Sequence, residues 1–134
     1  MTLHNPVPGF NFLPAYQAPG LPWVTSGTAS NTAPTRFDFP FVTKSVIVAN
    51  NAAVGSLLRI GYTAAGIAGT NYFLLDGKQI VELPVRVKEI YLQGDAGSIA
   101  FGLHANLSFI ESRQMLPLSG SGVSLSGSYY WTGV

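Results

Sequence analysis

Few side chains in this chain have the types and spacing needed for metal or acid–base chemistry. The histidines are His4 and His104, cysteine is absent, and six carboxylates are scattered along the sequence. A metal site on a β-sandwich needs several histidines and carboxylates that converge, and one histidine in the predicted domain does not supply them. His104 falls on the polar face of a predicted strand, where we expect it to form hydrogen bonds at a surface or an interface. The sequence therefore predicts neither a metal nor another cofactor.

The carboxylates and serines show no catalytic motif. Asp76 and Asp95 adjoin glycines in predicted turns, where aspartate is favoured for its local hydrogen bonds. No serine stands in a nucleophile elbow between a strand and a helix, and residues 64–69 lack the lysine of a phosphate-binding loop. An acid–base pair between two carboxylates distant in sequence stays open at this level. We expect that the chain is not an enzyme.

Aromatic side chains offer a second kind of chemistry, the stacking of sugar rings. The candidates for such stacking are Trp23, Tyr72, Tyr91 and Trp131. A carbohydrate site would need two or three of them on one loop cluster with amides nearby. The alternative is that Tyr72 and Tyr91 are core or sheet-surface residues.

The charges divide the chain into three parts. All thirteen Lys, Arg, Asp and Glu residues lie between Arg36 and Arg113, and the net charge is +1. We therefore predict an arm over residues 1–35, a domain over residues 36–113 and a Gly/Ser-rich tail over residues 114–134. Charged residues are 10% of the chain, which suits a protein covered by neighbours, and the charge balance predicts no binding to nucleic acid.

The two uncharged ends carry aromatic residues that need a surface to cover them. The arm contains six prolines, which exclude a helix or a central strand, so we expect it to be extended and ordered only on a partner. The tail ends in a cluster of aromatic residues that resembles an anchor or a final added strand. The predicted partner-binding residues are Phe10, Phe12, Tyr16 and Trp23 in the arm and Tyr129, Tyr130 and Trp131 in the tail.

The middle of the chain shows the alternation of β-strands. Strands are predicted over 36–41, 43–50, 56–63, 71–75, 79–93 and 98–111, with a small-residue loop over 64–69. Asp76-Gly77 is a hairpin-turn signal, and a phase slip near Lys88 and Glu89 predicts a bulge or a strand break. The clearest strand, 98–111, places apolar residues from Ile99 to Phe109 on one dry face. The fold class is thus all-β, a single antiparallel β-sandwich of the jelly-roll type.

No apolar run approaches the length of a membrane span, and the first residues do not resemble a signal peptide. We expect no membrane partner and synthesis in the cytoplasm of the producing cell.

The region of residues 43–110 resembles small bacteriophage virion proteins. The matching motifs are Leu58-Arg59-Ile60-Gly61, Asn71-Tyr72-Phe73, Val85-Arg86-Val87-Lys88 and Phe101-Gly102-Leu103. The resemblance implies a capsid decoration (cement, head-stabilising) protein, or a related head or fibre component, with a jelly-roll-like fold. It also implies a location in the virion after assembly in the host cytoplasm, and binding to the major capsid protein and to copies of itself as a trimer or dimer. No small-molecule ligand is expected, and a receptor- or carbohydrate-binding module of a phage tail or head fibre is the alternative function.

Overall fold

The computed structural model describes residues 20–115, which form eight strands and two short helices. The strands are β1 (Leu21–Ala29), β2 (Thr35–Asp38), β3 (Phe41–Asn50), β4 (Leu58–Gly61), β5 (Phe73–Leu75), β6 (Ile80–Leu83), β7 (Glu89–Gly94) and β8 (Ile99–Glu111). Helix α1 (Ala64–Ala68) lies between β4 and β5, and a 3-10 helix (Ser112–Gln114) follows β8.

The strands form two antiparallel sheets of four. The first sheet has the order β1-β8-β3-β6 and the second has the order β2-β7-β4-β5. The pairs β1–β8, β2–β7, β3–β6 and β4–β5 are nested like one long hairpin that has been rolled up. This order is the jelly-roll arrangement, so the predicted all-β sandwich is confirmed.

The core lies between the two sheets and follows from the alternation along their strands. The buried side chains of β8 up to Leu107 face those of β3 in the same sheet and of β4 and β7 in the other. An aromatic cluster lies at the side of the core between the edge strands β1 and β2, where Phe39 and Phe37 contact Trp23 and Phe37 also contacts Phe101. The principal core residues are Ala29, Val46, Val48, Leu58, Ile60, Ile90, Leu92, Ile99, Phe101, Leu103, Ala105 and Leu107.

The strand β1 corrects the predicted boundary between arm and domain. Residues 21–29 were expected to be part of an extended arm, yet they pair with β8 along their whole length, from Leu21 beside Leu107 to Ala29 beside Ile99. The prolines misled the prediction because Pro22 lies in an edge strand, where a missing amide hydrogen breaks no pairing. The sandwich therefore begins by residue 21, and not at residue 36.

Helix α1 replaces the loop that was predicted over residues 64–69. Thr63 caps its first turn, with the amide of Gly66 donating to Thr63 Oγ1 at 3.0 Å. Ile67 is fully buried against Gly61, whose hypothetical Cβ would lie 2.8 Å from that of Ile67. The helix forms here because a threonine cap and one apolar side chain anchor a short run of small residues to the outer side of β4.

The turn at Asp76 is present, but it does not form a hairpin. It connects β5 of the second sheet to β6 of the first, so the strands on either side of it do not pair with each other. Gly77 packs on the backbone of Ala53, whose carbonyl oxygen would lie 1.9 Å from a Cβ at this position. Asp76 Oδ1 accepts from the amides of Gly77 and Gly55, at 2.7 and 2.9 Å, which joins the turn to the β3–β4 loop.

The break predicted within residues 79–93 is a crossing between the two sheets. Strand β6 ends at Leu83, Pro84 follows, and β7 begins at Glu89 in the other sheet. Thr43 of β3 holds the crossing segment, since its hydroxyl donates to Val85 O at 2.7 Å and accepts from the amide of Val87 at 3.0 Å.

The alternation of β8 changes phase near its end. Ser108 is buried, and Phe109, which was predicted on the dry face, is 54% exposed. The register between β3 and β8 shifts between Phe41 and Ser45, which marks a bulge. Ser108 Oγ stabilises it by donating to Val42 O at 2.7 Å.

Candidate interaction surfaces

Trp23 is the one predicted partner-binding residue that lies within the described part of the chain. Its ring is half-buried and meets Phe37 and Phe39 edge to face, with centroid distances of 6.4 and 5.0 Å. Its own domain therefore covers part of the ring, and contact of Trp23 with a partner stays a prediction. The other predicted residues, Phe10, Phe12, Tyr16, Tyr129, Tyr130 and Trp131, lie outside the described residues.

The described region begins and ends at the same end of the sandwich. Gly20 lies against Asn106, and the neighbouring Leu21 pairs with Leu107 near the end of β8. At the other terminus, Met115 O accepts from Lys88 Nζ at 3.1 Å, and Ser112 N donates to Pro40 O at 3.2 Å. The two uncharged terminal segments, 1–19 and 116–134, are thus attached to one end of the domain.

The outer surface of the first sheet is poor in charge. One row across β1, β8, β3 and β6 contains Val24, His104, Ile47 and Glu82. The next row contains Ser26, Gly102, Ala49 and Ile80, and we call these eight residues the outer face. Its most exposed apolar side chains are Val24 at 69% and Ile80 at 71%, one on each edge strand. Such a surface is suited to contact with another protein.

His104 was predicted on a polar face, yet its direct cross-strand neighbours are Val24 and Ile47. Its Nδ1 atom is buried and has no hydrogen-bond partner among residues 20–115.

Three charged side chains at the end of the second sheet are paired with one another. Arg36 Nε lies 2.7 Å from Asp38 Oδ1, and its Nη2 lies 2.8 Å from Glu89 Oε2. These three residues line a cavity of about 210 Å³. Burial, followed by the charge of Glu89, raises the pKa of Tyr91 above its ordinary value. Since both carboxylates face the same guanidinium, the arrangement is that of a structural ion-pair network.

Arg59 organises a second polar cluster beside helix α1. Its Nε lies 2.8 Å from Asp95 Oδ1, its Nη1 donates to Ile67 O at 3.2 Å, and its guanidinium lies 4.3 Å from the ring centre of Tyr72. A cavity of about 260 Å³ adjoins this cluster, and Asp95 is its one charged lining residue in the region described.

The aromatic residues considered for sugar stacking do not form a common platform in the described region. Trp23 belongs to the core cluster, Tyr91 is buried, and Tyr72 is covered on one face by Arg59. The fourth candidate, Trp131, lies outside the described residues.

Residues 20–115 contain no group of three or more His, Cys, Asp or Glu side chains placed to hold a metal ion. No helix within them is long and apolar enough to cross a membrane.

Comparison with known proteins adds no family to these observations. No protein-family model matches the chain, and no curated protein is significantly similar to it in sequence.

The exposed edge of β1 was missed by reasoning from the sequence alone. A weak signal for it is the group of β-branched residues around Trp23, namely Val24, Thr25 and Thr28, which favour strands. The surrounding prolines and the lack of charge outweighed that signal and placed the segment in the arm.

Proposed function

We propose that this chain is a non-enzymatic structural protein of a bacteriophage particle, a capsid decoration (cement) protein. It binds the major capsid protein and copies of itself, and it stabilises the shell by covering apolar surface at the joints between subunits. The resemblance of residues 43–110 to small phage virion proteins supports this setting.

The observation that carries the proposal is the attachment of both uncharged, aromatic-bearing segments to one end of a jelly roll. Gly20 lies beside Asn106 in the second half of β8, and Met115 follows the 3-10 helix after β8, so segments 1–19 and 116–134 both start at that end of the sandwich. Two such segments at one site can contact neighbouring subunits of a lattice together, and a second contact made within one assembly gains from a high effective concentration.

The use of charge in the domain also supports a structural role. Arg36 and Arg59, which lie beside the two cavities, form ion pairs with carboxylates of the same chain. The outer face of the first sheet contains one charged residue, Glu82. These features favour surfaces that are covered by protein over a site that binds a charged substrate.

Binding to particles from the phage that encodes the chain tests the proposal. The full chain is compared with a chain lacking residues 1–19 and with the full chain carrying Phe10→Ser, Phe12→Ser and Tyr16→Ser. Particles from which the native protein has been stripped are mixed with each protein and sedimented. We expect the full chain to saturate the shell and both variants to lose at least about tenfold in affinity, since each aromatic contact contributes on the order of 1 kcal/mol or more.

The deletion stops at residue 19 because a longer one removes β1. A matched control is Phe109→Ser, which changes an aromatic residue that is exposed within the domain. Saturation of the shell by the chain without residues 1–19 would show that this segment has no such role. Binding of the full chain to a glycan array, with no occupancy of the shell, would favour the alternative of a fibre module.

A further inference from the structure

The four edge strands of the sandwich differ in length and charge. Strand β2 has four residues and contains Arg36 and Asp38, β5 has three residues, and β6 has four and contains Glu82. Strand β1 has nine residues and no charge, and its burial pattern shows that most of them are exposed. Natural proteins protect long edges with charge, proline, bulges or covering elements, because an unpaired edge attracts another strand; the described part of β1 has one such device, Pro22 near its start.

A hydrogen bond between β8 and the residue that follows β3 shows which backbone groups of β1 face the open edge. Asn51 N donates to Ala100 O at 2.9 Å, so Ala100 and the other even-numbered residues of β8 up to Asn106 direct their backbone groups toward β3. The odd-numbered residues of β8 therefore pair with β1. It follows from the register that Val24, Ser26 and Thr28 of β1 direct their N–H and C=O groups away from the sheet.

Pro22 fits the same pattern. It pairs with Asn106, an even-numbered residue, so the position where proline lacks a hydrogen also faces the open edge. Within residues 20–115, β8 is the one strand that pairs with β1.

We propose that two copies of this chain join through β1, edge to edge and antiparallel, so that their first sheets form one continuous eight-stranded sheet. This rests on the self-association contained in the proposed function and names its surface. A two-fold axis through Thr25 places Val24 of each copy beside Ser26 of the other, and it pairs the outward N–H and C=O groups of both.

A second copy is the occupant that this edge suits best, because a two-fold axis brings each strand against itself. On β6 that symmetry would bring Glu82 close to its own counterpart, and β2 and β5 offer only four and three residues, whereas β1 offers nine residues and contains no charge to repel. The same axis places Trp23 beside Gly27 of the other copy, so the largest side chain of the strand lies next to the smallest. The exposed Val24 would be partly covered at the joint, beside Ser26 of the other copy and diagonal to the second Val24.

Two substitutions in the full chain test the edge, and a third is their control. Ser26→Pro removes an outward amide hydrogen without removing a bond to β8. Val24→Lys places two like charges near the axis. Ile80→Lys adds the same charge at an equally exposed site on the outer face, but on the opposite edge strand. Sedimentation equilibrium over a wide concentration range should show a dimer that Ser26→Pro and Val24→Lys weaken by roughly tenfold or more, while Ile80→Lys has no effect.

Hydrogen exchange of the wild-type chain identifies what covers the edge. The amides of Val24, Ser26 and Thr28 should gain protection as the protein concentration rises, in parallel with the dimer. Protection that persists at concentrations where the protein sediments as a monomer would mean that the chain covers its own edge, and the proposal would be wrong. A strictly monomeric protein, or a dimer indifferent to Ser26→Pro and Val24→Lys, would overturn it as well.

The outcome is separate from that of the particle-binding test. A β1 dimer that fails to bind the shell contradicts the decoration role and leaves this interface standing. Shell binding by a chain that stays monomeric supports the decoration role and contradicts the β1 interface.

Discussion

Asn50 is fully buried where β3 ends, and its side-chain amide connects the two sheets. Its Nδ2 donates to Ser56 O at 2.7 Å and to Leu75 O at 2.9 Å, and its Oδ1 accepts from Ala52 N at 3.0 Å. Ser56 lies in the β3–β4 loop and Leu75 ends β5, so one residue of the first sheet satisfies a carbonyl of that loop and a carbonyl of the second sheet. The sequence indicated a turn at Asn50, while this bridging role depends on loops that are distant along the chain.

Replacing Asn50 with alanine should destabilise the domain strongly. The substitution leaves buried backbone groups without partners, so we expect a loss of about 2–4 kcal/mol in the free energy of unfolding. Asn106→Ala is the control, because Asn106 is half-buried and donates to Ser45 Oγ on the outer side of the sheet, and its loss should be about 1 kcal/mol or less. Urea denaturation with a common slope measures both, and equal losses would contradict the role of Asn50.

The ionisation of the Tyr62 hydroxyl should destabilise the folded domain at alkaline pH. Burial raises the pKa of Tyr62 above the value of 10.0 for an exposed tyrosine. Above pH 10 the unfolded chain loses this proton more readily than the folded one, so stability falls as the pH rises through that range, and it is unaffected below it. In the Tyr62→Phe variant this part of the decline should disappear. Unfolding free energies of both proteins from pH 8 to pH 11, with tyrosinate absorbance recorded in parallel, provide the check; parallel curves would show that Tyr62 ionises equally in both states.

Strand β8 remains a strand to its end, but after Leu107 the even-numbered side chains face the core in place of the odd-numbered ones. It pairs with β1 from Ile99 to Leu107 on one side and with β3 from Phe101 to Glu111 on the other. The bulge between β3 and β8 turns Ser108 and Ile110 inward and Phe109 outward. A chain whose pairing had no bulge would keep Phe109 in the core, as simple alternation predicts.

Alanine substitutions at two phenylalanines of β8 distinguish these arrangements. Phe101 is 3% exposed, so Phe101→Ala should cost about 3–5 kcal/mol of unfolding free energy. Phe109→Ala should cost less than about 1 kcal/mol, because its side chain is mostly in contact with solvent. Chemical denaturation measures both values. A loss at Phe109 as large as that at Phe101 would place its ring in the core and rule out the change of phase.

At the scale of the whole molecule, the first and last strands of the domain depend on each other. Strand β1 pairs with β8, and these two strands are separated by all the others in the sequence. The core is therefore completed by residues 21–29, which cover one side of β8 and supply Trp23 to the aromatic cluster.

Two N-terminal deletions should thus have very different effects. A chain lacking residues 1–19 retains every described strand and should unfold cooperatively, with a midpoint close to that of the full chain. A chain lacking residues 1–35 loses β1 and the buried Ala29, and it should lose several kcal/mol or fail to fold. Thermal unfolding followed by circular dichroism compares them. Cooperative unfolding of the shorter chain at an unchanged midpoint would restore the boundary at residue 36.

The sequence was sufficient for the features that depend on neighbouring residues. Alternation over residues 98–107, turn residues such as Asp76-Gly77 and Gly94-Asp95, and the shortage of helical periodicity predicted strands, turns and an all-β sandwich. They did so because side chains alternate within a single strand whatever its partner is. The confinement of charge to residues 36–113 likewise needed no structure to be recognised.

The arrangement of the strands in the two sheets depends on pairing between segments that are distant along the chain. The assignment of residues 21–29 to the first sheet, the crossings after Leu75 and Leu83, and the outward direction of Phe109 all depend on which strands lie side by side. A local pattern is the same for a hairpin and for a crossing to the other sheet. The open edge of β1 arises from the same cause, since a strand is an edge only through the position it occupies in its sheet.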